Sequence, residues 1–333
     1  MARYDAEIDL SNPNVSHTQV IDLVGGNKRV LDVGCATGYL ARQLATRGCT
    51  VSGLEIDDLV AEKARPDLER LVVADLDQAS LAELFEPASF DVVVFADVLE
   101  HLLEPDRVLE ESIRLLAPEG RVVISVPNVG HGALRLALLQ GRWDYTDTGL
   151  LDRTHIRFFT RASLLELVAG AGLAVEHLRA TVVDPLASPV DVDAAAIPPT
   201  VVEWVRRQPD ALHYQFVLSA RKLADGELAP EPPAVVPAVA HDQVRQHDRY
   251  TQMLLDEEAS KHRLLTTRDH LIGLESELAN AVARESATRA QAKRDVQRAN
   301  SERRAIEQST TWRASRAVTR PLRMLRGRDK GRS

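Results

Sequence analysis

Five places in this chain combine residue types and spacings that could do chemistry. Val30-Leu31-Asp32-Val33-Gly34-Cys35-Ala36-Thr37-Gly38-Tyr39-Leu40 places an acid in an apolar run, then two glycines four residues apart, then an amphipathic stretch. That order predicts a buried strand, a tight turn and a helix start. Such a turn brings a ligand against bare backbone, and the acid suits a cation or a hydroxyl. Glu55, in Gly53-Leu54-Glu55-Ile56-Asp57, follows the turn at the roughly 20-residue spacing of an acid that accepts ribose hydroxyls. Asp75 follows a third apolar segment, in Val73-Ala74-Asp75-Leu76, where it could bind a ligand or cap the next helix. Asp97, Glu100 and His101 come at i, i+3 and i+4 after Asp91-Val92-Val93-Val94-Phe95, a spacing that puts all three on one helix face. His155 stands just ahead of Thr160, the expected N-cap of a helix bearing Leu164, Leu165, Leu167 and Val168. Histidine titrates near neutrality, so His101 and His155 could relay a proton, bind a metal or only tie loops together.

The elements that must hold these residues read as alternating strands and helices. Apolar segments at 29–33, 50–55, 70–74, 91–95 and 121–126 have helical patterns between them. That predicts an α/β fold with a parallel sheet covered on both faces. Two more strands are expected at 174–179 and 213–220. The segment 127–160 is too long for a plain connection and holds His131, Trp143, Tyr145, His155, Phe158 and Phe159. Open sheets of this class place ligands beyond the strand ends, so this segment is expected to form the substrate side. A second insertion, 180–211, has a helical stretch around Val201 to Arg207 and no assigned role.

Bulk properties narrow the classes. With 333 residues and 44% hydrophobic content, the chain has room for one large domain and appendages. Aromatic residues make up 4% and the net charge is −8, which disfavours a nucleic-acid platform. Cys35 and Cys49 are the only cysteines, too few for a disulfide framework or zinc cluster. With no signal-like segment and no apolar run near the ~18 residues of a membrane span, a cytoplasmic location is expected.

The Asp32-x-Gly34-x-x-x-Gly38 turn departs from the Gly-x-Gly-x-x-Gly dinucleotide fingerprint, because Ala36 stands at its middle glycine. It resembles motif I of class I S-adenosylmethionine (SAM) methyltransferases, and the stretch from Phe90 to Leu102 resembles their motif IV. The resemblance covers residues 1 to about 222. It implies a seven-stranded, mostly parallel Rossmann-like sheet whose last strand is antiparallel. It also implies SAM held by Asp32, Gly34, Cys35, Ala36, Gly38, Glu55, Ile56, Asp75, Leu76 and Ala96. Small-RNA 2′-O-methyltransferases and ubiquinone-pathway O-methyltransferases have a similar acid-x-x-Glu-His segment and a later histidine that bind a divalent cation. The matching positions are Asp97, Glu100, His101 and His155, with Asp97 one methylene shorter than the usual Glu. The resemblance thus implies Mg²⁺ or Mn²⁺ at these four residues, or His155 or His101 acting as general base.

The C-terminal third reads differently. Residues 223–240 form a Pro/Ala linker not expected to pack. From 241 to 307 there is no proline. Leu264, Leu271 and Leu278 are seven apart, with Leu274 and Ala281 three residues after the second and third. This predicts a long helix with a short coiled-coil seam, either self-associating into a homo-oligomer or solvated alone. Residues 308–333 carry eight Lys/Arg against one acid. A basic tail with Trp312, Val318, Leu322, Met324 and Leu325 could meet an anionic membrane at the inner face, bind an assembly partner through 241–333, or stay disordered. Its Ser309-x-x-Trp312-Arg313 and Pro321-Leu322-Arg323 segments resemble the endings of bacterial enzymes of surface-polysaccharide assembly. The expected reaction is therefore O-methylation of a sugar hydroxyl on a glycan or glycolipid precursor. A quinone- or metabolite-type O-methyltransferase and a SAM-binding scaffold with little turnover are the alternatives.

Overall fold

Alternation of apolar residues builds the sheet. In β1 (Arg29–Val33), Leu31 and Val33 join the core on one face, and Val30 joins the core on the other. Asp32 shares the second face by the two-residue period of a strand. The structure is a computed structural model and describes residues 9–224, 226–311 and 314. The chain divides into two units, Met1–Met253 and Leu254–Ser333.

The first unit begins with α1 (Ser16–Val24) and β1, then α2 (Tyr39–Thr46), β2 (Thr50–Glu55), α3 (Asp58–Ala64) and β3 (Arg70–Val73). It continues through α4 (Leu81–Leu84), β4 (Phe90–Ala96), α5 (Pro105–Leu115), β5 (Leu116–Pro127), α6 (Gly132–Leu139), α7 (Arg161–Gly170) and β6 (Leu173–Val182). α8 (Pro199–Arg206), β7 (His213–Lys222) and β8 (Val236–Pro237) complete the sheet, and α9 spans His241–Gln308.

The strand order is β3-β2-β1-β4-β5-β7-β6-β8. Strands β1 to β5 run parallel, and β7 lies antiparallel between β5 and β6. The order reverses between β1 and β4, the position where open α/β sheets leave a crevice at the strand ends. Val20 and Ile21 of α1 and Leu40 and Leu44 of α2 cover one face against Val92, Val94, Val123 and Val217. Val108, Leu109 and Leu115 of α5 and Leu164 and Val168 of α7 cover the other, against Val93, Phe95, Ile124 and Leu218.

Every expected strand forms, and among the described residues the sheet has eight strands rather than seven. The eighth comes from the Pro/Ala segment: Val236 and Pro237 pair parallel with Arg179 and Ala180 of β6. Val235 packs against the main core, and Val239 against Val182 and Leu212. Proline is tolerated there because an edge strand needs no donor on its outer side. The helix expected to carry Asp97, Glu100 and His101 is not continuous. Asp97 has φ +56°, Leu99–His101 make a single tight 3₁₀ turn, and α5 starts only at Pro105. Thr160 caps α7 as expected, its side chain accepting from the Ser163 N–H.

In the second unit, residues 260–308 of α9 are helical with their side chains largely exposed. Trp312, Val318, Leu322, Met324 and Leu325, on which a membrane contact of the tail depends, lie outside the described residues. No helix among the described residues is long and apolar enough to cross a membrane.

Candidate active site

A cavity of about 760 Å³ opens at the carboxyl ends of β1 to β4. That size lies within the range of small-molecule sites. Of the residues expected to hold a cofactor, Gly34, Ala36, Glu55, Ile56, Asp75, Leu76 and Ala96 line it, whereas Asp32, Cys35 and Gly38 do not. The turn after β1 explains this division. Gly34, Ala36 and Gly38 all have positive φ, so the chain reverses within five residues. A Cβ on Gly34 would come within 2.7 Å of Val98 Cγ2, and one on Gly38 within 3.0 Å of Ala64. Gly38 thus serves the approach of α2 to α3. Cys35 is buried with its sulfur filling the space beside Gly53, where a Cβ would approach within 2.7 Å.

Glu55 ties the first two turns together. Its Oε2 accepts from the Ala36 N–H at 3.0 Å, and its Oε1 from the N–H groups of Ile56 and Asp57. Asp32 is 2% exposed behind this wall, and burial followed by the Glu55 charge pushes its carboxyl up to about 7. Asp75 does not cap α4, whose N-cap is Ser80. Instead it accepts from the Asp77 N–H and the Gln78 amide at the cavity wall.

The opposite wall comes from two loops stitched together. Ile156 and Arg157 both donate their N–H groups to the Glu100 carbonyl, at 2.9 and 3.0 Å. The Arg157 guanidinium donates to the Leu103 carbonyl. Asp152 fixes the second loop by accepting from the Thr154 N–H and hydroxyl. These bonds bring His101 and His155 to a 4.8 Å edge-to-face contact. Nδ1 of His101 lies 3.0 Å from the Thr154 carbonyl, and Nδ1 of His155 lies 3.3 Å from the Leu150 carbonyl. A carbonyl only accepts, so both Nδ1 atoms carry the proton, and in the neutral rings both Nε2 lone pairs are left without a partner among the described residues. Burial, then the neighbouring His101, lowers the His155 pKa and favours its neutral form.

Glu100 completes the group. It is 1% exposed, and neither carboxylate oxygen has a hydrogen-bond partner among the described residues. Burial, then the Asp97 charge, raises its pKa well above the usual value. Glu100, His101 and His155 each offer a ligand atom, all within 4.8 Å of one another. Asp97, the expected fourth ligand, falls outside this group. Its left-handed backbone turns it toward the Ser125 hydroxyl and the Gln215 amide, at 2.9 and 3.0 Å.

Several wall residues carry no local sequence signal. His17 of α1 and Tyr39 of α2 meet at 3.1 Å. Tyr214 and Gln215 reach the cavity because β7 inserts beside β5. Thr148, Gly149 and Leu150 come from the 127–160 segment, as expected of a substrate side. Trp143 and Phe158 of that segment pack on each other instead, 5.6 Å apart.

A methyltransferase-domain family model matches residues 19–178. A ubiquinone biosynthesis O-methyltransferase of Thiobacillus denitrificans is 32% identical over 162 residues, covering 48% of this chain and 70% of that protein. One from Pseudomonas aeruginosa is 34% identical over 165 residues, at the same coverages. The chain belongs to the class I SAM-dependent methyltransferases. A solved SAM-dependent methyltransferase of Archaeoglobus fulgidus aligns at 16% identity with a TM-score of 0.46, covering 63% of this chain and 94% of that one.

The cavity of this methyltransferase fits SAM by charge. Glu55, Asp57, Asp75, Asp77, Asp97, Glu100 and Asp152 line it, with no Lys or Arg among the described lining residues. A sulfonium and an ammonium gain from that field, whereas the diphosphate of a pyridine dinucleotide meets only like charge. The methyltransferase also has a donor set that fits a divalent cation: two bare imidazole nitrogens and an unpartnered buried carboxylate.

Proposed function

We propose that this methyltransferase transfers the methyl group to a hydroxyl oxygen of a small, uncharged aromatic acceptor of the quinone-precursor type. The observation that carries the proposal is the Glu100–His101–His155 group on the acid-lined cavity, with both Nε2 lone pairs free. The names of the relatives, ubiquinone biosynthesis O-methyltransferases, support oxygen as the atom methylated and a quinone-type acceptor. The sugar-hydroxyl expectation rests on the basic tail, beyond the described residues. An acceptor carrying a diphosphate would face the cavity's acids with no Lys or Arg among the described lining residues to compensate them.

SAM supplies an electrophilic methyl carbon on a sulfonium, which leaves as a neutral thioether. The residues of the chain then have two tasks: to orient the acceptor oxygen in line with that carbon, and to take its proton. Thr148, Gly149 and Leu150 precede His155 in one loop, the Leu150 carbonyl bonds its ring, and with Tyr214 they line the cavity and supply the acceptor surface. Nε2 of His155 or His101 accepts the proton, while the carbonyl bond at Nδ1 fixes the ring and steadies the imidazolium. Alternatively, Glu100, His101 and His155 would hold a divalent cation through those same Nε2 lone pairs, which would lower the pKa of the acceptor hydroxyl in place of a histidine base. Two imidazoles favour Mn²⁺ over Mg²⁺, which prefers oxygen ligands.

Labelled SAM offered with ring-hydroxylated aromatics, nucleotide sugars and extracted glycolipids tests the proposal. Label should appear in a methyl ether of the aromatic. Transfer confined to sugar or to nitrogen overturns it.

A further inference from the structure

The helix α9 lies beyond the part of the chain matched by the family model, and its apolar residues have no partner in the described structure. Leu264, Leu265, Leu271, Ile272, Leu274, Leu278 and Val282 are all exposed. At 100° per residue, Leu264, Leu271, Leu278 and Val282 fall on one line, with Leu265, Ile272 and Ala279 along one flank. Arg268 and Glu275 sit inside this stripe, between the line and the flank. A solvated helix has no use for leucines repeated at seven residues, and two charges within the stripe select the way a partner can lie on it.

We propose that residues 261–282 pair antiparallel with the same segment of a second copy of this chain, about a two-fold axis between Leu271 and Ile272. That axis sets Arg268 opposite Glu275 of the other copy, and does so twice. It puts Leu265 and Leu278 in one layer and Leu271 and Ile272 in another, on opposite edges of the seam, and places Lys261 beside Val282, where its stem can lie over the apolar surface with the charge in water. The parallel, in-register arrangement stacks Arg268 on Arg268 and Glu275 on Glu275 inside the same apolar layers, which costs desolvation without attraction. Charge complementarity therefore chooses the second copy and its direction together. The seam is about 33 Å long, three heptads, at 1.5 Å per residue. Beyond it, Glu285, Ser286 and Arg289 stand at the next positions of the stripe and end the pairing.

Sedimentation equilibrium of the full chain should report two chains per particle. Arg268→Glu should weaken the association roughly tenfold, since each copy then sets like charges against each other at two layers. Arg268→Glu with Glu275→Arg should restore it. Cys35 and Cys49 are buried, so engineered thiols report cleanly. Leu265→Cys combined with Leu278→Cys should be joined between copies by a short bismaleimide, and Leu265→Cys alone should not. A monomer at all concentrations overturns the proposal. So does cross-linking by Leu265→Cys alone to the same extent as the pair, or a charge swap that fails to restore association.

Discussion

Asp32 is an acid held behind the cavity in a setting where ionisation is opposed. Burial, then the Glu55 charge, raises its pKa to about 7, so between its unfolded value and 7 the folded chain binds more protons than the unfolded one. Its contribution to stability therefore falls as pH rises through that window. A cationic ligand reverses the preference by favouring the ionised acid. SAM affinity should rise from pH 5.5 to 8, as read by calorimetry, and Asp32→Asn should flatten that dependence. His155→Ala should lower turnover by about 10²–10⁴-fold while leaving SAM affinity nearly unchanged, because the histidine serves the acceptor's proton. Stopped turnover with lost SAM binding would give His155 a place in the cofactor pocket instead. Chelators should lower turnover and Mn²⁺ should restore it, and Glu100→Gln should abolish the restoration. Turnover indifferent to chelators would leave the proton to the histidines alone.

The element that sets the site is the turn between β1 and α2. Gly34 is required twice over, by φ +73° and by Val98 Cγ2 within 2.7 Å of where a Cβ would stand. Gly34→Ala should cost about 1–3 kcal/mol in urea denaturation, combining backbone strain with overpacking. Adding Val98→Ala should recover the packing share and leave the strain. A double variant no more stable than Gly34→Ala would show that the backbone conformation alone fixes the residue. The stitched loops 99–103 and 150–157 act in the same way on the other wall. Their bonds to each other end on backbone carbonyls, those of Glu100, Leu103 and Thr154, and together they position His101 beside His155.

For the molecule as a whole, the point where the sheet ends decides what a truncated methyltransferase can do. Residues 1–240 keep β8 and the Val235 and Val239 contacts, whereas residues 1–222 lose all of them. The 1–240 fragment should melt with the full chain's first unit and bind SAM. The 1–222 fragment should still bind but melt several degrees lower, by roughly 1–2 kcal/mol of lost apolar burial. Equal melting of the two fragments by calorimetry would show that the edge strand adds nothing.

The sequence by itself determined the strands, the turn after β1 and the acids at the strand ends. Each of these is written in local pattern: a two-residue or continuous apolar period, a glycine where φ is positive, an acid where a strand stops. It also singled out Glu100, His101 and His155, which the structure brings within 4.8 Å. Tertiary structure alone decided the rest. It placed Asp97 outside that group, because its left-handed backbone turns the carboxylate toward Ser125 and Gln215 rather than along a helix face. It set Asp32, Cys35 and Gly38 behind the wall, brought Tyr214 and Gln215 to the cavity, and drew Val236–Pro237 onto the sheet edge. These are contacts between residues far apart in the chain. Their energy comes from burial and pairing across strands, and no local pattern encodes it.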